Sequence, residues 1–286
     1  MAKCTVCFRH CEISDGQTGF CGGRIGRNGV VQAGNYGRVT ALALDPIEKK
    51  PLNRFHPGSR ILSVGSYGCN LRCPFCQNFD ISWAESVKTS ARKARTLTPE
   101  TLVELALSCR DRGNIGLAFT YNEPLIGYEF VRDTAKLAHE AGLLNVLVTN
   151  GTAALPVLEE LGPYIDAMNI DLKGFTDRYY RDVLGGDLAM VLSFIARAVQ
   201  LCHVELTTLI VPGENDTEDE MRWITTWIAG LPNKDGQVIG RTVPLHISRF
   251  FPRFHLTDRS ATSVELIHRL ADIAREQLEY VYTGNC

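Results

Sequence analysis

Ser66-Tyr67-Gly68-Cys69-Asn70-Leu71-Arg72-Cys73-Pro74-Phe75-Cys76-Gln77-Asn78 holds three cysteines at Cys-x3-Cys-x2-Cys spacing, directly after the apolar run Ile61-Leu62-Ser63-Val64. The run reads as a buried strand, so the cysteines sit in the loop at its C-terminal end. Iron–sulfur clusters are held by cysteine thiolates, and a cubane normally takes four. Three would leave one iron open to a chelating small molecule. Structural zinc prefers four closed ligands, usually as separated pairs, so a compact trio suits it less well. The competing readings are three reduced core thiols, or a zinc site that borrows one remote ligand. Gly68 and Asn70 permit the tight backbone that such a loop needs.

Working outward, the chain alternates short apolar strands with amphipathic helices. The expected strands are Ile61–Val64, Ile115–Phe119, Asn145–Val148, Ala167–Ile170, Val204–Val211 and Val243–Ile247. A basic linker (Lys88, Arg92, Lys93, Arg95) leads to a helix capped at Thr98-Pro99, and later helices carry one apolar stripe each. This alternation implies an α/β fold with a parallel sheet and outer helices, a partial (β/α)6 TIM-like barrel over residues 56–286. In such barrels the reactive groups lie at the C-terminal strand ends. Those ends read Thr120-Tyr121-Asn122-Glu123-Pro124, Thr149-Asn150-Gly151-Thr152, Asp171-Leu172-Lys173-Gly174, Pro212-Gly213-Glu214-Asn215-Asp216 and His246-Ile247-Ser248-Arg249. A carboxylate, an amide, an Asp/Lys pair and a His/Arg pair would converge over the cysteine loop. The plainer reading is helix caps and turns, and it suits Thr152 and Asn215-Asp216-Thr217 best.

Residues 1–55 form a small Cys-rich, Gly-rich module with Cys4, Cys7, Cys11 and Cys21 spaced x2, x3 and x9. Four close thiols signal a metal site, either a structural zinc or an auxiliary iron–sulfur cluster. The segment from Asp45 to Leu52, broken by Pro46 and Pro51, would strap this module to the barrel. Seven of the ten cysteines fall in the first 76 residues. Cys109 and Cys202 read as inert core thiols. With 45% hydrophobic and 22% charged residues and a net charge of -2, the chain is not a general nucleic-acid or membrane-surface binder. No apolar run could span a bilayer and Met1-Ala2-Lys3-Cys4 opens no signal sequence, so a cytoplasmic protein is expected.

The cysteine spacing with Phe75 before the last cysteine resembles the radical S-adenosylmethionine (SAM) superfamily. Asp45-Pro-Ile-Glu-Lys-Lys-Pro-Leu, Thr-Tyr-Asn-Glu-Pro, Asn169-Ile-Asp-Leu-Lys-Gly-Phe and the N-terminal cysteines resemble one branch, the AmmeMemoRadiSam-system radical SAM enzymes, similar to pyruvate formate-lyase activating enzymes. The resemblance implies a [4Fe-4S] cluster on Cys69, Cys73 and Cys76, with SAM chelating the fourth iron. It implies Phe75 near the adenine, Asn78 beside the cluster loop, Glu123 accepting the SAM amine, and Thr149 and Asn150 near the ribose. Asp171 matches a cation-binding aspartate and Lys173 a carboxylate-binding lysine; His246 and Arg249 are candidates for contact with substrate or SAM. Val148 stands where activases carry an aspartate, and the four-cysteine set precedes the radical motif rather than following it. The implied activity is reductive SAM cleavage to a 5′-deoxyadenosyl radical, which abstracts hydrogen from an unidentified substrate, a small molecule or a protein such as a glycyl-radical enzyme. A low-potential donor such as flavodoxin or ferredoxin would be its electron source. The opposing class is a non-catalytic iron–sulfur or zinc module for electron transfer or interaction, which has no use for polar groups at successive strand ends.

Overall fold

The structure, a computed structural model, describes residues 1–286, the side chains of Ala84 and Glu85 excepted. Its centre is one eight-stranded sheet: β1 (Ala41–Pro46), β2 (Arg60–Gly65), β3 (Asn114–Phe119), β4 (Leu144–Thr149), β5 (Ala167–Asp171), β6 (His203–Ile210), β7 (Leu245–Arg249) and β8 (Val281–Gly284). The strands lie side by side in chain order. β1 runs antiparallel to β2, and every other neighbouring pair is parallel. Helices α1 (Ala84–Lys93) and α2 (Pro99–Ser108) connect β2 to β3. The later connections each carry one α-helix, some with an additional short helical turn: α3 (Tyr128–Glu140), α4 (Leu155–Leu161), α5 (Leu188–Ala198), α6 (Glu218–Ala229) and α7 (Val264–Arg275). This is the α/β, open TIM-like barrel that the alternation predicts, with one parallel strand more than the six expected.

The apolar runs are continuous because both faces of the sheet are buried. Successive residues part company between two packing layers. Leu62, Leu117, Leu147 and Met168 join the large helix-side core. Ile61, Ala118, Val146 and Ala167 turn the other way and pack with Ile47 and Leu52. Full burial of each leucine, isoleucine, valine or methionine among them contributes about 1.5–3 kcal/mol. Gly116 is required by close approach: a Cβ there would lie 1.8 Å from the Leu144 carbonyl oxygen, so β3 and β4 pair only with glycine at this point.

Caps follow the sequence. Thr98 accepts the Thr101 N–H at 3.2 Å with Pro99 in the first turn of α2, and Thr217 accepts the Glu220 N–H at 3.2 Å to start α6. Two differences stand out. The basic linker is in part helix α1, whose Val87 and Ala91, four residues apart, pack with Tyr67 while the charges face outward. The module expected to end near residue 55 also gives the main sheet its edge strand, β1, and Ile47 and Leu52 are wholly buried in the inner layer. Ahead of β1 lie short hairpin pairings, Ala2–Lys3 with Glu12–Ile13 and Arg24–Arg27 with Val30–Ala33. No helix among the described residues is long and apolar enough to cross a membrane.

Candidate active site

The loop after β2 is shaped from beneath by the N-terminal segment. Gly68 adopts φ +92°, and a Cβ on it would lie 2.5 Å from the Cys21 carbonyl oxygen. That carbonyl accepts the Cys69 N–H at 3.2 Å. The Arg72 guanidinium donates to the Cys69 and Leu71 carbonyls at 2.8 and 2.7 Å, curling the loop on itself. Cys69, Cys73 and Cys76 all line one cavity of about 480 Å³ at the C-terminal ends of the parallel strands. The Leu71 N–H and the Asn150 side-chain amide approach Cys69 Sγ at 3.4 and 3.6 Å, contacts that favour a thiolate. Burial, reinforced by Cys76 and Asp171 and opposed by Lys173, pushes the Cys73 thiol up to about 11. Charge-balancing metal is what would deprotonate such a set.

The loop after β3 is bolted to the cysteine loop. The Asn122 side chain accepts the Ser66 N–H at 2.9 Å and donates to the Gly68 carbonyl at 3.1 Å. The Asn78 amide donates to the Tyr121 carbonyl at 2.7 Å, at a residue held at φ +73°. These bonds deliver Glu123, 3% exposed, to the cavity wall. One carboxylate oxygen accepts the Thr149 hydroxyl at 2.7 Å and the Leu125 N–H at 3.0 Å; the other accepts the Asn150 N–H at 2.8 Å. Burial nevertheless wins over these donors and pushes Glu123 up to about 7. A buried carboxylate in that condition is matched to a ligand ammonium, which restores its charge.

Across the cavity, Lys173 Nζ lies 2.8 Å from Asp171 Oδ2. Burial pulls the ammonium down, but Asp171 and Cys73 outweigh it and hold Lys173 well above its ordinary value. Its backbone is fixed by the Tyr180 hydroxyl, which accepts the Lys173 N–H at 2.9 Å, and by the Asn215 amide, which donates to its carbonyl at 2.6 Å. Asn215 is thus a turn residue with a second task.

Phe75, Asn78, Glu123, Thr149, Asn150, Asp171 and Lys173 all reach this cavity together with the three cysteines. The Thr149 and Asn150 groups described above point at Glu123 and Cys69. His246 does not reach it. It is the second residue of β7, not the last, and its Nε2 lies 2.7 Å from Glu205, deep among the strands. Ser248, two residues on, is the group that β7 presents to the cavity. Arg249 donates instead to the Thr262 carbonyl at 2.6 Å. Val148 does line the wall, leaving an apolar surface where a carboxylate would sit in activases.

Sequence reasoning assigned no site role to Asp45, Lys49 and Lys50, which it read as a strap. Lys49 and Lys50 line the cavity, and Lys50, 3% exposed, donates to Asp45 at 2.8 Å. The same Asp45 oxygen accepts the Ser63 and Tyr121 hydroxyls, each at 2.9 Å. Burial raises this carboxyl, but Lys50 and the two hydroxyls prevail and hold it at about 2. Two adjacent lysines enclosed by prolines and preceded by an aspartate were the available signal.

The sequence profile of the radical SAM superfamily matches residues 63–224, from β2 into α6. The chain belongs to the radical SAM superfamily. An uncharacterized protein of Methanocaldococcus jannaschii is 42% identical, with 99% of this chain and 81% of that one aligned. Pyruvate formate-lyase 1-activating enzyme of Escherichia coli is 28% identical over 57% of this chain and 65% of its own length. Among solved structures, Streptococcus suis SuiB bound to S-adenosylmethionine superposes with a TM-score of 0.57 at 12% identity, covering 77% of this chain and 48% of that one. A domain of a pyruvate-formate lyase-activating enzyme from Bacteroides vulgatus gives 0.51 at 18%, covering 59% and 99%. These two likenesses are of fold.

Membership of the radical SAM superfamily implies a [4Fe-4S] cluster and SAM as the resident groups, and the donor set fits them. Three thiols on one wall give a cluster three of its four ligands. The cavity has the size of a small-molecule site, and it opposes a buried carboxylate to a partly exposed ammonium as an amino acid's amine and carboxylate require.

Proposed function

We propose that this chain is a radical SAM enzyme that cleaves SAM reductively and uses the product radical to take a hydrogen atom from a substrate. The observation that carries the reading is the meeting of three thiols, a buried Glu123 and a partly exposed Lys173 in one cavity. Cys69, Cys73 and Cys76 would hold the cluster, Glu123 the SAM amine and Lys173 its carboxylate. Phe75, 6% exposed and edge-on to Phe250, offers the adenine an apolar surface. Held there, the cluster would supply the single electron for reductive cleavage of SAM to methionine and a 5′-deoxyadenosyl radical. The chain's own work is to bind and orient. Glu123 and Lys173 would fix the methionine end, Asn150 supports Cys69, and the cavity walls would keep the reactive centre close to one C–H bond. The electron would come from a low-potential donor such as flavodoxin or ferredoxin. Similarity to activating enzymes supports a protein substrate carrying a glycyl-radical site as one candidate; the cavity's dimensions suit a small molecule equally.

Anaerobic reconstitution with iron and sulfide, followed by dithionite and SAM, tests the reading. The expected result is about four irons in the barrel cavity and release of 5′-deoxyadenosine. Cys73→Ala should abolish that release while the far-ultraviolet circular dichroism stays native. Undiminished release from the variant would overturn the assignment.

A further inference from the structure

The four N-terminal cysteines remain outside the function above. In the fold they come together: Cys4, Cys7, Cys11 and Cys21 line a single small void, which shares no lining residue with the SAM cavity. The void holds about 10 Å³, the room of one ion or one water, and is far too small for an eight-atom cubane as it stands. One observation independent of the cysteines points to the same missing partner. Arg24 lines the void and is 5% exposed; its terminal nitrogens are taken by Glu129, Ile126 and Val31, yet its Nε has no hydrogen-bond acceptor among the described residues. A buried guanidinium N–H without an acceptor is costly, and a metal-bound thiolate would supply one. No three His, Cys, Asp or Glu side chains among the described residues stand at metal-bonding separation, so loading would draw these thiols inward.

The surroundings say what the site would do. Beyond the Cys21 carbonyl that receives the Cys69 N–H, Arg9 donates from Nε to the Asn70 carbonyl at 2.8 Å and from Nη2 to the Gly185 carbonyl at 2.5 Å. Arg72 donates to the Phe20 carbonyl at 2.5 Å, and the Asn35 amide to the Tyr67 carbonyl at 3.0 Å. Residues 67–72 thus rest on the cysteine module along their whole length.

We propose that Cys4, Cys7, Cys11 and Cys21 bind one zinc ion as a closed tetrathiolate, and that this zinc clamps the loop carrying Cys69. A four-cysteine shell with x2 and x3 spacings is a composition used by structural zinc, and it leaves no open position for chemistry. The module has few apolar side chains of its own, so metal binding supplies the free energy that orders it.

The test is a metal count on full-length protein produced with zinc and iron both supplied and purified without air. About one zinc per chain is expected, in addition to cluster iron. A Cys69→Ala/Cys73→Ala/Cys76→Ala protein should lose the iron and keep the zinc. Cobalt(II) added to that protein after zinc removal should bind once and show the intense visible absorption of a tetrathiolate, which added zinc then erases. Hydrogen exchange at residues 67–72 should lose protection when zinc is removed and regain it on zinc addition. A second set of about four irons with no zinc, or no metal held by the triple variant, would overturn the proposal. Because these readings need neither SAM nor turnover, they stand or fall apart from the radical assignment.

Discussion

Glu123 shows how burial and binding oppose each other at one residue. Its carboxyl sits at about 7 in the protein against 4.5 ordinarily, because desolvation outweighs three donors. The sign follows: between 4.5 and 7 the folded chain holds a proton that the unfolded chain has lost, so this group makes stability fall as pH rises through that window. A ligand amine needs the charged form. Affinity for SAM should therefore weaken about tenfold for each pH unit below 7. Glu123→Gln should bind more weakly with a flat profile; equilibrium binding to the cluster-loaded protein checks both. The residue's place was legible in the sequence because Tyr-Asn-Glu-Pro stands at a strand end. Its bond to Asn150 was not, since no local pattern reports which main-chain amide a side chain will meet across 27 positions. The same limit misplaced His246: a histidine near a strand end reads alike whether it faces the cavity or Glu205.

At the scale of elements, the period-two division of each strand between the helix-side core and the inner layer fixes the register, and one glycine fixes the spacing. Gly116→Ala would drive a methyl group against the Leu144 backbone, which flexible side chains cannot relieve. A loss of about 3 kcal/mol is expected by urea denaturation, at the upper end for overpacking. Six parallel strands were legible because each is a short apolar run followed by polar punctuation. β8 was not: Val281-Tyr282-Thr283-Gly284 is short and only half buried, and its place is decided by pairing with β7. α1 was obscured because its basic residues outnumber the two small apolar ones that pack.

For the molecule as a whole, the far end of the barrel from the cysteine-lined cavity is held by Glu205, which is fully buried. It accepts the Asn53 and Arg54 N–H groups at 3.0 and 2.7 Å and faces His203 and His246 at 3.0 and 2.7 Å. Burial raises its carboxyl, but the two histidines and two amides prevail and hold it at about 2. Its contribution to stability is therefore present above 4.5 and is lost as pH falls from there toward 2. Glu205→Ala should cost about 3–5 kcal/mol, because four donors lose a buried acceptor; thermal denaturation at neutral pH would show it, and the variant should be less sensitive to acid. The open barrel was legible as a class from the sequence alone. The latch was not, for it joins segments 151 and 152 residues apart.

Strands that neighbour one another in space in the order in which they are synthesised let each new βα unit dock on the one before it, so the nascent chain never has to choose between distant edges. One contact that breaks this order is the strap at residues 53–54, which must wait for β6 before Glu205 can receive it. Folding of this chain should then proceed from its amino-terminal half toward β8, with the lower closure of the barrel among its late events.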